Sequence, residues 1–301
     1  MRLILFLLGW GMAVATAIGA GEVRVVSQTV GTDELLLALA EPSQVAALSH
    51  IADQAEYSAV AAEAAAFERI SAGDSEAILK FRPTLVLFAD YSRAELVAQV
   101  RKLGVKVIVF DRYATLDDVY ANLRRLAREL GPAAEARAEA LVASCRARME
   151  KLETRLRGVK PVGVINASTY GLLSGAGSTF QDLCDHAGAE NLATTWGGIK
   201  GMGPEPAEKM LAWPIDMVVL GGGSGARWDD AGARASSRPT EAAEVAEALA
   251  PLKDILPYRY IDAVQKGRAV VVPSALLASV THHRIEAYEV LARGLHPEVF
   301  K

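Results

Sequence analysis

The run A-A-E-A-R-A-E-A-L-V-A-S-C-R-A-R-M-E-K-L-E-T-R-L-R-G, Ala133 to Gly158, decides the fold. Leu141, Cys145, Met149, Leu152 and Leu156 recur at steps of four, four, three and four, which draws one apolar stripe along a helix. Arg137, Glu139, Arg146, Glu150 and Arg155 mostly face elsewhere. Pro132 suits a first helical position and Gly158 a helix stop. At 1.5 Å per residue such a helix spans roughly 40 Å, about the width of a small domain. The sequence on either side of it reads as a complete small α/β unit. The helix is therefore a spine, and a ligand belongs in the cleft between the two lobes that it joins.

Upstream of the spine, strands and helices alternate. Glu22–Ser27 reads as a strand and Gly31–Leu39 as a helix; Val45–Leu48 is a second strand, followed by an irregular segment through Tyr57. Asp74–Phe81 is a helix capped by Asp74 or Ser75 and broken by Pro83, and Thr84–Phe88 is a strand. Arg93–Leu103, Val105–Phe110 and Leu116–Leu130 continue as helix, strand and helix. The connections are too long for hairpins, so the sheet is parallel, and ligands of such sheets bind at the carboxyl ends of the strands. Those ends are Ser27 to Thr32, Ser49 to Tyr57, Asp90 to Ser92 and Asp111 to Thr115.

Downstream, Val162–Ile165 restarts the same grammar, followed by the loop Asn166 to Tyr170 and the helix Phe180–Ala187. Gly175 and Gly177 lie in a turn before that helix; they match neither G-x-G-x-x-G nor a Walker motif, so they do not make a nucleotide cradle. Ala207–Leu211, Pro214 and Met217–Leu220 repeat the helix, proline, strand order of Glu76 to Phe88. The segment Asp229 to Thr240 has no apolar period and reads as a mobile surface loop beside Arg227 and Trp228. Ala269–Val272 is the last strand, Ser279 and Thr281-His282-His283-Arg284 follow it, and Ile285–Leu295 is the terminal helix. The fold class is thus α/β: two Rossmann-like lobes with central parallel sheets, at residues 22–131 and 159–301, joined by a linking helix at 132–158.

The 301 residues are 51% hydrophobic, enough to bury sizeable cores. A net charge of -4 and the lack of any Lys/Arg stripe give no reason to expect nucleic acid. Met1-Arg2, the apolar run Leu3 to Val14 and the small residues through Ala20 have the layout of a secretory signal peptide over residues 1–21, with cleavage between Ala17 and Gly21. Neither cysteine lies near that site, so an exported protein is expected and a lipoprotein is not. Cys145 and Cys184 are too few for a disulfide scaffold, and two buried thiols are the default reading.

With these pieces placed, the chain resembles the class III periplasmic substrate-binding proteins, in the branch that serves ABC importers of cobalamin, haem and iron-siderophore complexes. The most specific pieces are S-E-A-I-L-K-F-R-P-T-L-V-L-F (Ser75 to Phe88), D-L-C-D-H-A-G-A-E-N-L-A (Asp182 to Ala193), A-E-K-M-L-A-W-P-I-D-M-V-V-L (Ala207 to Leu220) and the closing L-H-P-E-V-F (Leu295 to Phe300). The resemblance implies a periplasmic monomer without cofactor or catalysis, which captures a metal chelate and hands it to the permease dimer of an ABC importer in the inner membrane. It also implies one exposed Glu per lobe that docks on arginines of the permease, and the matching positions are Glu76 and Glu208.

Cargo residues transfer poorly because this family holds its ligands with variable loops. At the strand ends of the first lobe, Ser27, Thr29, His50, Tyr57, Tyr91, Arg112 and Tyr113 are candidates; in the second lobe they are Tyr170, Trp196, Arg227, Trp228, His282, His283 and Arg284. Aromatic faces suit a flat corrin or porphyrin or a catecholate chelate, and arginines suit carboxylates. His50, His282 or His283 are candidate axial ligands to a chelated metal, and the adjacent pair is expected to diverge. The cargo is read as iron-siderophore, corrinoid or haem in that order. The alternatives are a free zinc or manganese carrier and a two-lobed enzyme such as a chelatase.

Overall fold

In a computed structural model the described residues are 23–71, 74–222 and 241–301. The expected signal peptide, Arg227, Trp228 and the segment 229–240 lie outside them. The first sheet is formed by β1 (Val25–Ser27), β2 (Val45–Ala47), β3 (Leu85–Ala89) and β4 (Lys106–Phe110), all parallel in the order β2-β1-β3-β4. β3 is buried along its whole length because helices cover both faces of the sheet.

The second half contributes β5 (Val162–Asn166), β6 (Leu172–Ser174), β7 (Ala189–Asn191), β8 (Met202–Pro204), β9 (Met217–Gly222) and β10 (Ala269–Pro273). β10-β9-β5-β7 form a second parallel sheet, while β6 and β8 make a separate antiparallel pair. That pair and the short strand β7 are not legible in the sequence, since three-residue strands have no readable period.

The spine runs from Pro132 to Leu156, with proline in its first turn. Its buried stripe is Ala134, Ala138, Val142, Cys145, Met149 and Leu152. The expected stripe is right from Cys145 to Leu152. Ahead of it the helix presents Val142 and two alanines to the core, leaving Leu141 half-buried, because small residues let the helix Leu116–Leu130 approach closely. The stripe is the middle of one continuous core that joins Leu36, Leu123 and Leu126 of the first lobe to Phe180, Tyr288 and Leu291 of the second. Two smaller clusters fill the outer face of each sheet, around Phe88 in the first lobe and Tyr258 in the second. The lobes are therefore packed along the spine as well as tethered by it. Cys145 and Cys184 are both free and buried, and burial raises both thiols above their ordinary range.

Candidate functional site

The cleft opens where the strand-end loops of the first lobe meet the segment after β10. The helix Val30–Leu39 begins there, with the Thr29 side chain accepting from the backbone of Thr32 to cap its first turn. Gly31 sits in that turn because Val280 of the opposite lobe presses on it: a Cβ at Gly31 would come within 2.5 Å of Val280 Cγ2. Around this contact lies a cavity of about 350 Å³, open to solvent. Thr29, His50, Tyr57 and Tyr91 line it from the first lobe, with Ala275, Ser279 and Val280 from the second.

Tyr57 and Tyr91 keep 48% and 60% of their surface exposed, so both offer a free ring face to a ligand. Tyr91 meets the ring of Tyr113 edge-on at 6.3 Å, and the Tyr113 hydroxyl donates to Asp90 Oδ1 at 2.9 Å. Burial, with the Asp90 carboxylate beside it, pushes the Tyr113 phenol up to about 12. His50 is exposed at the rim and also borders a polar side groove lined by Phe67, Glu68, Arg69 and Ser71.

Beneath the cavity the first turns of the helix Val30–Leu39 carry two adjacent acids, of which Glu34 lines the cavity. Asp33 and Glu34 are 0% and 1% exposed. Asp33 accepts from the backbone N–H and the hydroxyl of Ser49. Glu34 lines the cavity and accepts from Thr281 Oγ1 at 2.5 Å, Ser279 Oγ at 3.2 Å and the Ala59 N–H at 3.2 Å. Burial outweighs these hydrogen bonds and pushes each carboxyl up to about 7. The helical register of the D-E pair gives no sign that both acids point inward.

Other candidates fall elsewhere. Arg284 is 3% exposed: its guanidinium donates to the carbonyls of Tyr113, Ala114 and Ser279 and to Asp182 Oδ2, so it pins the lobes together and is not available to cargo. Asp182 also accepts from the Tyr288 hydroxyl. The rings of His282 and His283 do not diverge; they stack with centroids 4.1 Å apart. His282 is half-buried, its Nδ1 has no partner among the described residues, and burial pushes its pKa down to about 4. Arg112 is exposed and paired with Asp118 at 3.0 Å. Ser27 is fully buried on Thr32. Tyr170 and Trp196 are 85% and 54% exposed on the second lobe, near β6, and are not among the residues lining the 350 Å³ cavity. Glu76 and Glu208 are both exposed, each in a short helix that precedes a proline and a strand. Among the described residues no three His, Cys, Asp or Glu gather as a metal-ion site, and no helix is long and apolar enough to cross a membrane.

Comparison with known proteins agrees with this architecture. No curated protein sequence matches. The chain is similar in fold to the periplasmic heme-binding protein RhuT from Roseiflexus sp. RS-1 in apo form, at 20% identity, covering 93% of this chain and 100% of that one with a TM-score of 0.71. It is also similar to a periplasmic heme-binding protein from Pseudomonas aeruginosa, at 20% identity, 91% and 93% coverage and a TM-score of 0.70. The vitamin B12 binding protein BtuF of Vibrio cholerae matches at 17% identity, 92% and 98% coverage and a TM-score of 0.66. The sequence profile described as "Periplasmic binding protein" matches residues 25–275, from the first strand to the segment that closes the cleft, and the chain belongs to that family.

Proposed function

We propose that this protein captures a metal tetrapyrrole, haem foremost and a corrinoid next, in the interlobe cleft and delivers it to an ABC importer. It does so as an exported monomer, its leader at residues 1–21 removed, with no cofactor or chemistry of its own. The observation that carries the reading is the cavity wall. Tyr57 and Tyr91 offer exposed ring faces and His50 a metal donor, and among the described residues no Lys or Arg lines the cavity. The flat ring face of a tetrapyrrole gains from such walls while its polar side chains stay at the solvent edge, and His50 or Tyr57 suits the open axial position of its metal. A ferric catecholate carries several negative charges and needs cationic partners, and none is among the described residues that line the cavity. The iron-siderophore reading therefore falls behind the tetrapyrrole one. The heme and B12 binding stated for proteins of the same fold support this ordering.

Glu76 and Glu208 stand exposed on opposite lobes, in matching positions before a proline and a strand, which suits docking on basic pockets of a two-fold permease. The cargo reading is tested by titrating the mature protein with haemin, cobalamin, ferric siderophores and bare zinc or manganese, followed by calorimetry. Saturable one-to-one binding of a tetrapyrrole supports it; binding only of siderophores or of bare ions overturns it.

A further inference from the structure

Two sets of contacts cross the lobe junction beside the cleft, and they differ in chemistry. Arg284 reaches the Tyr113 and Ala114 carbonyls as a cation whose charge is fixed. Glu34 reaches across in the other direction, from the first lobe to Ser279 and Thr281 of the second, as a group whose charge is not fixed. We propose that Glu34 is a protonation-operated latch between the lobes: with a proton on its carboxyl the junction stays shut, and loss of that proton favours its parting.

The geometry supplies the mechanism. Glu34 is 1% exposed while the junction is closed, and the hydroxyls that close over it belong to the segment that must move away if the lobes part. A closed junction therefore keeps the carboxyl out of water, and an open one returns it to water. The groups around it do not neutralise a negative charge. On its own helix the neighbour is Asp33, a second acid whose charge opposes ionisation. From the loop after β2 come His50 and Tyr57, both at the solvent edge of the cavity, and from the end of β3 comes Tyr91. On the opposite lobe His282 and His283 follow Thr281, and the Arg284 guanidinium meets the carbonyl of Ser279 while the Ser279 hydroxyl meets Glu34.

Burial raises the carboxyl, the hydrogen bonds from Thr281, Ala59 and Ser279 lower it, and Asp33 raises it, leaving it at about 7 against an ordinary 4.5. The sign follows from linkage: the closed junction binds the proton more tightly than the open one, so acid favours closure and alkali favours opening. With 4.5 for the open state and about 7 for the closed one, the ratio of open to closed junctions rises about tenfold between pH 6 and pH 8. The latch is a property of the junction and holds whatever the cargo.

The test uses cargo-free mature protein with spin labels at Lys102→Cys and Lys253→Cys, exposed positions on opposite lobes, read by pulsed electron-electron distance measurement from pH 5.5 to 8.5. The expected result is an open population that grows about tenfold relative to the closed one from pH 6 to 8, is independent of pH in Glu34→Gln, and survives at lower pH in Asp33→Asn. Thr281→Val keeps the carboxyl and removes one bond of the latch, so its open fraction at pH 6 exceeds that of the unchanged protein. A wild-type distribution that ignores pH, a Glu34→Gln protein that still responds, a response abolished by Asp33→Asn, or a Thr281→Val protein identical to wild type at pH 6 each overturns the proposal.

Discussion

Replacing Arg284 by methionine is the most informative perturbation of the lobe junction. The guanidinium makes four hydrogen bonds, to Tyr113 O at 2.7 Å, Ala114 O at 2.9 Å, Asp182 Oδ2 at 3.1 Å and Ser279 O at 3.3 Å. Methionine keeps most of the side-chain volume and removes all four, leaving the buried Asp182 carboxylate with the Tyr288 hydroxyl and nearby His186, and three carbonyls short of a donor. Breaking a buried ion pair from one side typically costs about 3–5 kcal/mol. A chain of this size shifts by roughly 2–4 °C per kcal/mol, so the midpoint of thermal unfolding falls by roughly 10 °C. Urea unfolding of the mature protein measures the same loss without relying on reversible heating. Because much of the cost is the stranded carboxylate, Arg284→Met with Asp182→Asn should be less destabilised than the sum of the two single changes. A loss under about 1 kcal/mol for Arg284→Met refutes the claim that this residue holds the lobes together.

Other outcomes follow from the same geometry. Gly31→Ala places a methyl group against Val280 and should widen the cleft, raising the cargo dissociation rate in stopped-flow measurements by several-fold; an unchanged rate removes Gly31 from the junction. Lobe rotation on cargo binding should stay within about 10 degrees, because a shared core runs along the spine; small-angle scattering that shows a large compaction contradicts this. His282 is held at about 4 in the folded protein against an ordinary 6.5, so its contribution to stability is present above pH 6.5 and lost as pH falls through 4. His282→Phe should flatten the acid limb of stability by up to about 3 kcal/mol, and an unaltered urea profile between pH 7 and 4 counts against it. Glu76→Ala with Glu208→Ala should leave cargo affinity intact and lower uptake by the reconstituted importer, and full uptake by the double variant removes the docking assignment.

Long elements were legible in the sequence because their periods repeat. Leu116–Leu130 has the predicted bounds, and the spine differs from expectation by one or two residues at each end. In the first lobe the strand-end loops bring Thr29, His50, Tyr57 and Tyr91 to one cavity. What the sequence concealed depends on which way a polar side chain points. Arg284, in the polar run T-H-H-R, reads as a cargo ligand, yet the chain turns it into the junction. Nothing in the sequence singles out Glu34, and only the approach of Ser279 and Thr281 from roughly 245 residues away makes it a buried carboxyl. Tertiary partners this distant leave no local signature. The β6–β8 pair escaped for the opposite reason: each strand has only three residues, too few for alternation to show.

If His50 and the Tyr57 face hold a metal tetrapyrrole in the interlobe cleft, a haemin titration of the protein followed through the Soret band reads it out. The titration should saturate at one to one with a band position that changes in His50→Ala or Tyr57→Phe, and the affinity should fall at least tenfold when both are replaced. A Soret spectrum and an affinity that survive the double replacement unchanged, or no saturable binding at all, contradict it.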